Sequence, residues 1–233
     1  MSLRVAALYD VHGNLPALEA VLAEVEREAP DLIVFGGDVA AIGPFPLETI
    51  DLLRSLPDAR FVMGNADRED LPALSGDRRS FVAAFEPAVS VEVEGIGPTL
   101  FCHGSPRSDE EIVTRATPDE AVAEMVEGME ERVVVIGHTH MQFDRRVGDH
   151  RIVNAGSVGM PYEARPGAYW ALLGPDVELR RTDYDLEAAA ARMRATGAPE
   201  VEDFVRENVL TVPPAEQAIE IFERQAGRAV RVP

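Results

Sequence analysis

The chain of 233 residues predicts an α/β fold, and three observations point there. Short apolar runs alternate with runs of helical period through residues 3–67. From residue 90 the pattern changes to successive strands joined by hairpin-like turns. Five of the strand-like runs end in the same manner, in aspartate, asparagine or histidine beside glycine.

Taken in order, "LRVAALYD" reads as an apolar strand running out into polar residues, and "LPALEAVLAEVERE" places its apolar positions at helical spacing. "DLIVFGGD" is a second strand, "FPLETIDLLRSL" a second helix and "ARFVMGNAD" a third strand. Strand and helix alternating across short connections require parallel pairing. Beyond Ser90, "SVEVEG", "PTLFCHG", "RVVVIG", "MQFDRRVG", "HRIVNAG", "AYWALLG" and "VELRRTDYD" read as strands, with one helix near residues 119–127. "VGDHR" and "LGPDV" supply turn residues, so part of this half is expected to be antiparallel. "LEAAAARMRATG" is a helix closed by glycine. Helical "PEVEDFVREN" and "PPAEQAIEIFERQAG" follow, as a cover, a contact with a second copy, or plain packing. The expected division is a catalytic domain over 1–185 and a helical extension over 186–233 packed on it.

Composition excludes several functions. A formal charge of −19 opposes general nucleic-acid binding, which needs cations against phosphate. All 22 basic residues are arginine, so Schiff-base chemistry and a P-loop lysine are ruled out. Cys102 stands alone, without a partner for a disulfide or a thiolate metal site. No run has the length and apolarity of a membrane span, and no leader pattern precedes "LRVAALYD". The expectation is a soluble cytoplasmic protein without a membrane partner; association with a second copy is left open.

The five strand ends carry the chemistry. They present Asp10 and His12 in "DVHGN", Asp38 in "GGD", Asn65 and Asp67 in "MGNAD", His103 in "HG", and His138 and His140 in "GHTH". Sites in open α/β sheets lie beyond the carboxyl ends of the strands, so these loops can converge. On extended backbone, residues i and i+2 point to one side, which would aim each spaced pair at one place. Oxygen with imidazole ligands suits Mn²⁺, Fe or Zn²⁺ over thiolate-selective ions. Leaving Asp67 aside, three acidic or amide oxygens and four imidazoles exceed one ion and suit two ions that share a carboxylate. His150 is left over and reads as a surface residue.

"DVHGN", "GD", "GNAD", "HG" and "GHTH", in this order, resemble the metallophosphoesterase (calcineurin-like) superfamily over roughly residues 4–183. "DVHGNLPALEAVL", "GDVAAIGPFPLETIDLLR" and "NAGSVGMP" look like its small bacterial branch of phosphodiesterases and diadenosine-tetraphosphatase-like phosphatases. The resemblance implies a four-layer α-β-β-α sandwich of two mixed sheets with added C-terminal helices. It implies two divalent ions, from Mn, Fe, Zn or Ni. Asp10, His12 and His140 would hold one ion, and Asn65, His103 and His138 the other, with Asp38 bridging. A hydroxide bridging the ions would attack a phosphodiester, phosphoanhydride or activated monoester in a small phosphorylated substrate. Asp38, Asn65, His103 and Asp67 would serve catalysis by this analogy.

One position departs from the family pattern. Gly-Asn-His-Asp/Glu is usual, and here Ala66 replaces the histidine that assists phosphate binding or leaving-group protonation. Such assistance is worth ~10²–10⁴-fold, so substrates with good leaving groups are expected. Asp67 remains, either to orient a neighbour or as a turn or cap. Asn154 and Ser157 in "NAGSVGMP" are expected either to contact phosphate or to form a structural turn. A serine-hydrolase elbow at Ser157 fails, because no histidine follows His150. Arg68 and Arg165 have the chemistry of phosphate clamps, with a solvated surface role as the alternative. Cys102 should face the core. A contrasting reading is a catalytically weak scaffold or binding protein, since the superfamily includes a retromer subunit; the filled ligand positions argue against it. An amidase-type metal hydrolase lacks its HExxH helix.

Overall fold

Side-chain alternation within the strands sets the layers of this protein. The structure, a computed structural model, describes residues 2–228. Its first part runs β1 (Val5–Leu8), α1 (Leu15–Glu28), β2 (Leu32–Phe35), α2 (Pro46–Arg54), β3 (Ala59–Phe61), α3 (Asn65–Asp70) and α4 (Gly76–Val82). Then come β4 (Ala88–Val93), β5 (Gly97–Cys102), α5 (Asp119–Met125), β6 (Val133–Ile136), β7 (Gln142–Val147) and β8 (His150–Ala155). The remainder is β9 (Ala168–Leu173), β10 (Val177–Thr182), α6 (Leu186–Arg194), α7 (Val201–Phe204) and α8 (Ala215–Gln225).

Two five-stranded sheets result, ordered β10-β9-β1-β2-β3 and β4-β5-β6-β8-β7. In the first, β1, β2 and β3 are parallel and β9 runs antiparallel to β1. In the second, β5, β6 and β8 are parallel, flanked by antiparallel β4 and β7. Val5 and Ala7 of β1 join Val133 and Val135 of β6 in the cluster between the sheets. Ala6 and Leu8 instead pack with Leu18, Val21 and Val25 of α1, while Val134 and Ile136 pack with Val122 of α5 and Ala218 of α8. The two-residue strand period therefore gives each sheet two buried faces, and the layers stack as helix, sheet, sheet, helix. Among the described residues, no helix is long and apolar enough to cross a membrane.

Local chemistry explains where helices begin. The Asn14 side chain accepts the Ala17 amide at 3.2 Å and caps α1, and Pro46 opens α2, where a missing N–H costs nothing. The last hairpin departs from a simple division into halves: β9 and β10 return to the first sheet beside β1. Residues 65–82 also hold two helices that the pattern reading does not anticipate. "NADRED" has Ala66 as its one apolar residue, so it carries no amphipathic period to read. The predicted helix at 199–208 is a short α7 that widens into a π-helical stretch, Val205–Leu210. With α6 it packs on Leu15 and Phe45.

Candidate metal centre

The ends of β1, β2, β3, β5 and β6 bring the predicted residues together in two groups. Asp10, His12 and His140 form one and Asp38, His103 and His138 the other, each with ligand-type atoms within 4.8 Å of one another. Asp38 Oδ2 lies 3.3 Å from His103 Nε2 and 3.9 Å from His12 Nε2, so it faces both groups. Asn65 Oδ1 sits 3.1 Å from His103 Nε2 and adds an amide oxygen to the second group.

The backbone here is not extended. Asp10, His12, Asp38, His138 and His140 all have positive φ, between 47° and 62°. They are five of only nine such non-glycine residues among those described, and each costs of order 1–3 kcal/mol. The expectation that i and i+2 align along a strand is therefore corrected. β1 ends at Leu8 and β6 at Ile136, and left-handed turns aim the side chains instead. Asp10 and His12 share a group, whereas His138 and His140 divide between the two.

Glycine makes the crowding tolerable at two places. A Cβ on Gly64 would lie 2.1 Å from Asp38 Oδ1, and one on Gly137 would lie 2.5 Å from Asp10 Oδ2. Neither carboxylate could keep its place beside a larger residue.

Three imidazoles are oriented by backbone carbonyls at Nδ1: His103 by Gly36 at 2.8 Å, His140 by Met160 at 2.7 Å and His12 by Ala41 at 3.3 Å. In a neutral ring, donation from Nδ1 leaves the Nε2 lone pair facing inward. The Nε2 atoms of His12 and His140 then stand 3.1 Å apart, an arrangement that repels unless a cation lies near. Asp10 Oδ1 is buried without a hydrogen-bond partner, while Oδ2 accepts the His138 amide at 2.9 Å. An orphaned carboxylate oxygen among inward lone pairs fits divalent cations bound by oxygen and nitrogen.

Charge is strongly coupled within this cluster. Burial opposes a charged His103, but Asp38 and Asp10 outweigh it and raise its pKa to about 10. Burial and neighbouring imidazoles lower His12 and His138 to about 4. Burial works against Asp38 as an anion, and His103 and His12 prevail to hold it well below the ordinary carboxylate range. Asp67 goes the other way, to about 7, through burial and then the Asp38 charge.

The remaining predicted residues fall elsewhere. Asp67 is buried beneath Asp38, accepting the amides of Asp38, Val39 and Gly64 at 2.7, 2.9 and 3.2 Å. Asn154 and Ser157 are fully buried, with their polar groups engaged inside the protein instead of open to phosphate. Asn154 Nδ2 donates to the Gly137 carbonyl and Thr139 Oγ1, and its Oδ1 accepts the Gly156 amide. Ser157 Oγ donates to the Asp10 carbonyl at 2.7 Å and accepts the Met160 amide. "NAGSVGMP" thus braces the Asp10 and His140 loops. Arg68 is exposed and paired with Asp109 and Glu110 at 2.9 and 2.6 Å, and Arg165 is also exposed. Cys102 is buried behind the second sheet, its thiol pushed up by desolvation. His150 is only half-exposed, and its Nε2 is buried without a partner.

Two aromatic residues beside the centre went unread in the sequence. Tyr162 stacks on His140, with centroids 4.9 Å apart and planes at 25°, and Phe222 of α8 lies 6.5 Å from His138. Tyr162 follows "NAGSVGMP" directly, which could have flagged it; nothing local marks Phe222. A separate cleft of about 660 Å³ at the opening ends of β6 and β8 contains Arg132, Arg145 and Arg151. Each of these is already paired with aspartate.

Residues 3–174 match the calcineurin-like phosphoesterase superfamily domain. The fold is similar to that of a metallophosphoesterase from Sphaerobacter thermophilus, with a TM-score of 0.72 and 25% identity over 88% of this chain and 98% of that one. An uncharacterized protein of Methanocaldococcus jannaschii is 24% identical over 84% of this chain and 94% of its own length. A symmetrical bis(5'-nucleosyl)-tetraphosphatase of Klebsiella pneumoniae is 40% identical over 73 residues, 30% of this chain and 26% of that protein.

Proposed function

Because this chain belongs to the calcineurin-like phosphoesterase superfamily, we propose that it is a dinuclear metal-dependent phosphoesterase acting on a phosphodiester or a phosphoanhydride. The observation that carries this is the unpartnered, buried Asp10 Oδ1 among four histidines. Asp10, His12 and His140 are suited to hold one divalent ion, and His103, His138 and Asn65 a second, with Asp38 shared. Bound there, two such ions supply positive charge for phosphoryl oxygens and lower the pKa of a coordinated water toward neutrality. They also reverse the repulsion a phosphate would meet from a chain of charge −19.

The protein's own groups hold and orient. Carbonyls of Gly36, Ala41 and Met160 fix three imidazole rings. The Ala66 amide holds Asp38 Oδ1 at 2.8 Å, leaving Oδ2 toward the histidines. Asn65 brings an amide donor to the rim for a phosphoryl oxygen. Ala66 supplies no acid, so the leaving group must depart without an imidazole proton donor at that position. Diesters with acidic leaving groups and phosphoanhydrides meet that condition. Local likeness to symmetrical bis(5'-nucleosyl)-tetraphosphatases supports including phosphoanhydrides.

The test is a panel of Mn²⁺, Zn²⁺, Ni²⁺ and Mg²⁺ crossed with a diester, a monoester and a dinucleoside polyphosphate. Activity should require metal and favour the diester or polyphosphate. Asp38→Asn should lose more than the ~10–100-fold that outer partners of metal ligands cost. Wild-type turnover by that variant would overturn the two-ion mechanism.

A further inference from the structure

Helix α8 lies outside the matched family domain, which ends at residue 174, yet it reaches the metal centre. Its Phe222 ring lies 6.5 Å from His138 and 6.0 Å from Tyr162, and Tyr162 in turn stacks on His140. One face of α8 packs into the core through Ala215, Ala218, Ile219 and Glu223. The neighbouring face carries Gln217, Ile221, Phe222 and Gln225, which with Tyr162 and Pro213 line a pocket of about 310 Å³.

The lining selects among ligands. Among the described residues no charged side chain borders this pocket, although 27% of the chain is charged. The pocket therefore suits a neutral portion of a substrate rather than its phosphate. Its volume is at the low end for ligand pockets, about 300–1,000 Å³, and so suits one substituent. Tyr162 and Phe222 line it, Tyr162 with one face already stacked on His140, and the side-chain amides of Gln217 and Gln225 make no hydrogen bond among the described residues. Ile221 is 46% exposed, an uncovered apolar wall. Aromatic faces with amide donors and acceptors favour a planar heteroaromatic ring over an alkyl chain.

The wall is also fixed in place. Glu223, next to Phe222, accepts hydrogen bonds from Thr114 and Thr117, each at 2.6 Å. Arg228 donates to the Ile112 carbonyl at 2.8 Å. A ring entering here meets a preformed surface and little ordering cost.

We infer that the pocket between Tyr162 and α8 receives a nucleobase of the phosphoester whose phosphoryl group lies at the metal centre, an inference that rests on the phosphoesterase reading above. The experiment compares two diesters with the same leaving group on the Mn²⁺-loaded full chain: thymidine 5'-(p-nitrophenyl phosphate) and methyl p-nitrophenyl phosphate. The ratio of their kcat/KM values should favour the thymidine ester and fall about ten-fold in Phe222→Ala, the effect of one lost base–aromatic stack. Phe222→Leu keeps apolar bulk in the helix and should fall similarly, whereas Phe222→Trp should retain the preference. A ratio unchanged in both Phe222→Ala and Phe222→Leu overturns the inference.

Saturation-transfer NMR with thymidine, which has no phosphate, reads the pocket without turnover. Signals from the base should appear with wild type and disappear with Phe222→Leu. Thymidine binding lost in the variant, with neither diester hydrolysed by wild type, would remove the phosphoesterase reading and leave the pocket standing. Turnover of both diesters without preference, and without base signals, would remove the pocket alone.

Discussion

Asp67 holds the backbone of Asp38 in place. Its carboxylate accepts the Asp38 and Val39 amides at 2.7 and 2.9 Å, directly beneath the carboxylate that faces both histidine groups. Asp38 has a positive φ, 54°, and these two bonds hold it in that conformation. Asn at this position would turn an NH₂ toward a backbone N–H. Asp67→Asn should weaken Mn²⁺ binding by ~10–100-fold, the usual cost of an outer partner. Calorimetric titration of the metal-free protein measures it, and wild-type affinity would show that Asp67 has no positioning role.

Gly64→Ala tests the same carboxylate from the opposite side. The new Cβ would meet Asp38 Oδ1 at 2.1 Å and its amide nitrogen at 2.4 Å, so either the loop or the side chain must move. Overpacking of this kind costs ~1–3 kcal/mol, which should lower Tm by several degrees. Elemental analysis of the purified variant should find less metal per chain than in wild type. Full metal content with an unchanged Tm would mean the loop yields freely.

These residues also show how far the sequence could be read. The glycine-flanked polar residues at strand ends made the convergence of Asp10, His12, Asp38, His103, His138 and His140 legible, because parallel strands present their carboxyl ends at one edge. The means of convergence was hidden. An i, i+2 spacing looks alike on extended and left-handed backbone, and only the structure shows φ near 50–60° at these positions. Asn154 and Ser157 were ambiguous for a related reason. An amide or hydroxyl that braces a loop from within has the same chemistry as one that binds phosphate. Phe222 was out of reach, since its meeting with His138 depends on how α8 docks across more than 80 positions of chain.

Under the proposed phosphoesterase activity, Ala66 is the position expected to set which bonds are cleaved. It is the second residue of α3, partly exposed, with its amide on Asp38 Oδ1. Ala66→His should restore a general acid near the leaving group and improve turnover of poor leaving groups by ~10²-fold. Diesters with acidic leaving groups should gain little, so the diester-to-monoester ratio of kcat/KM should fall. An unchanged ratio would sink the idea that the missing imidazole sets the preference.

Glu223 ties α8 to the body of the protein in a pH-dependent manner. Burial opposes its ionisation, but hydrogen bonds from Arg228, Thr114 and Thr117 outweigh that and hold its pKa below the ordinary glutamate value. A depressed carboxyl pKa means stability that is present above the unfolded value, about 4.3, and lost as pH falls through the folded one. Glu223→Gln should therefore cost about 2 kcal/mol at pH 7, the scale of a hydrogen bond to a charged group. The difference from wild type should shrink steadily below about pH 4, as the wild-type carboxylate protonates. Urea unfolding of both proteins at pH 7, 5 and 3.5 measures the difference. A gap of equal size at all three would mean that the cost comes from replacing the carboxyl group and that its charge contributes nothing.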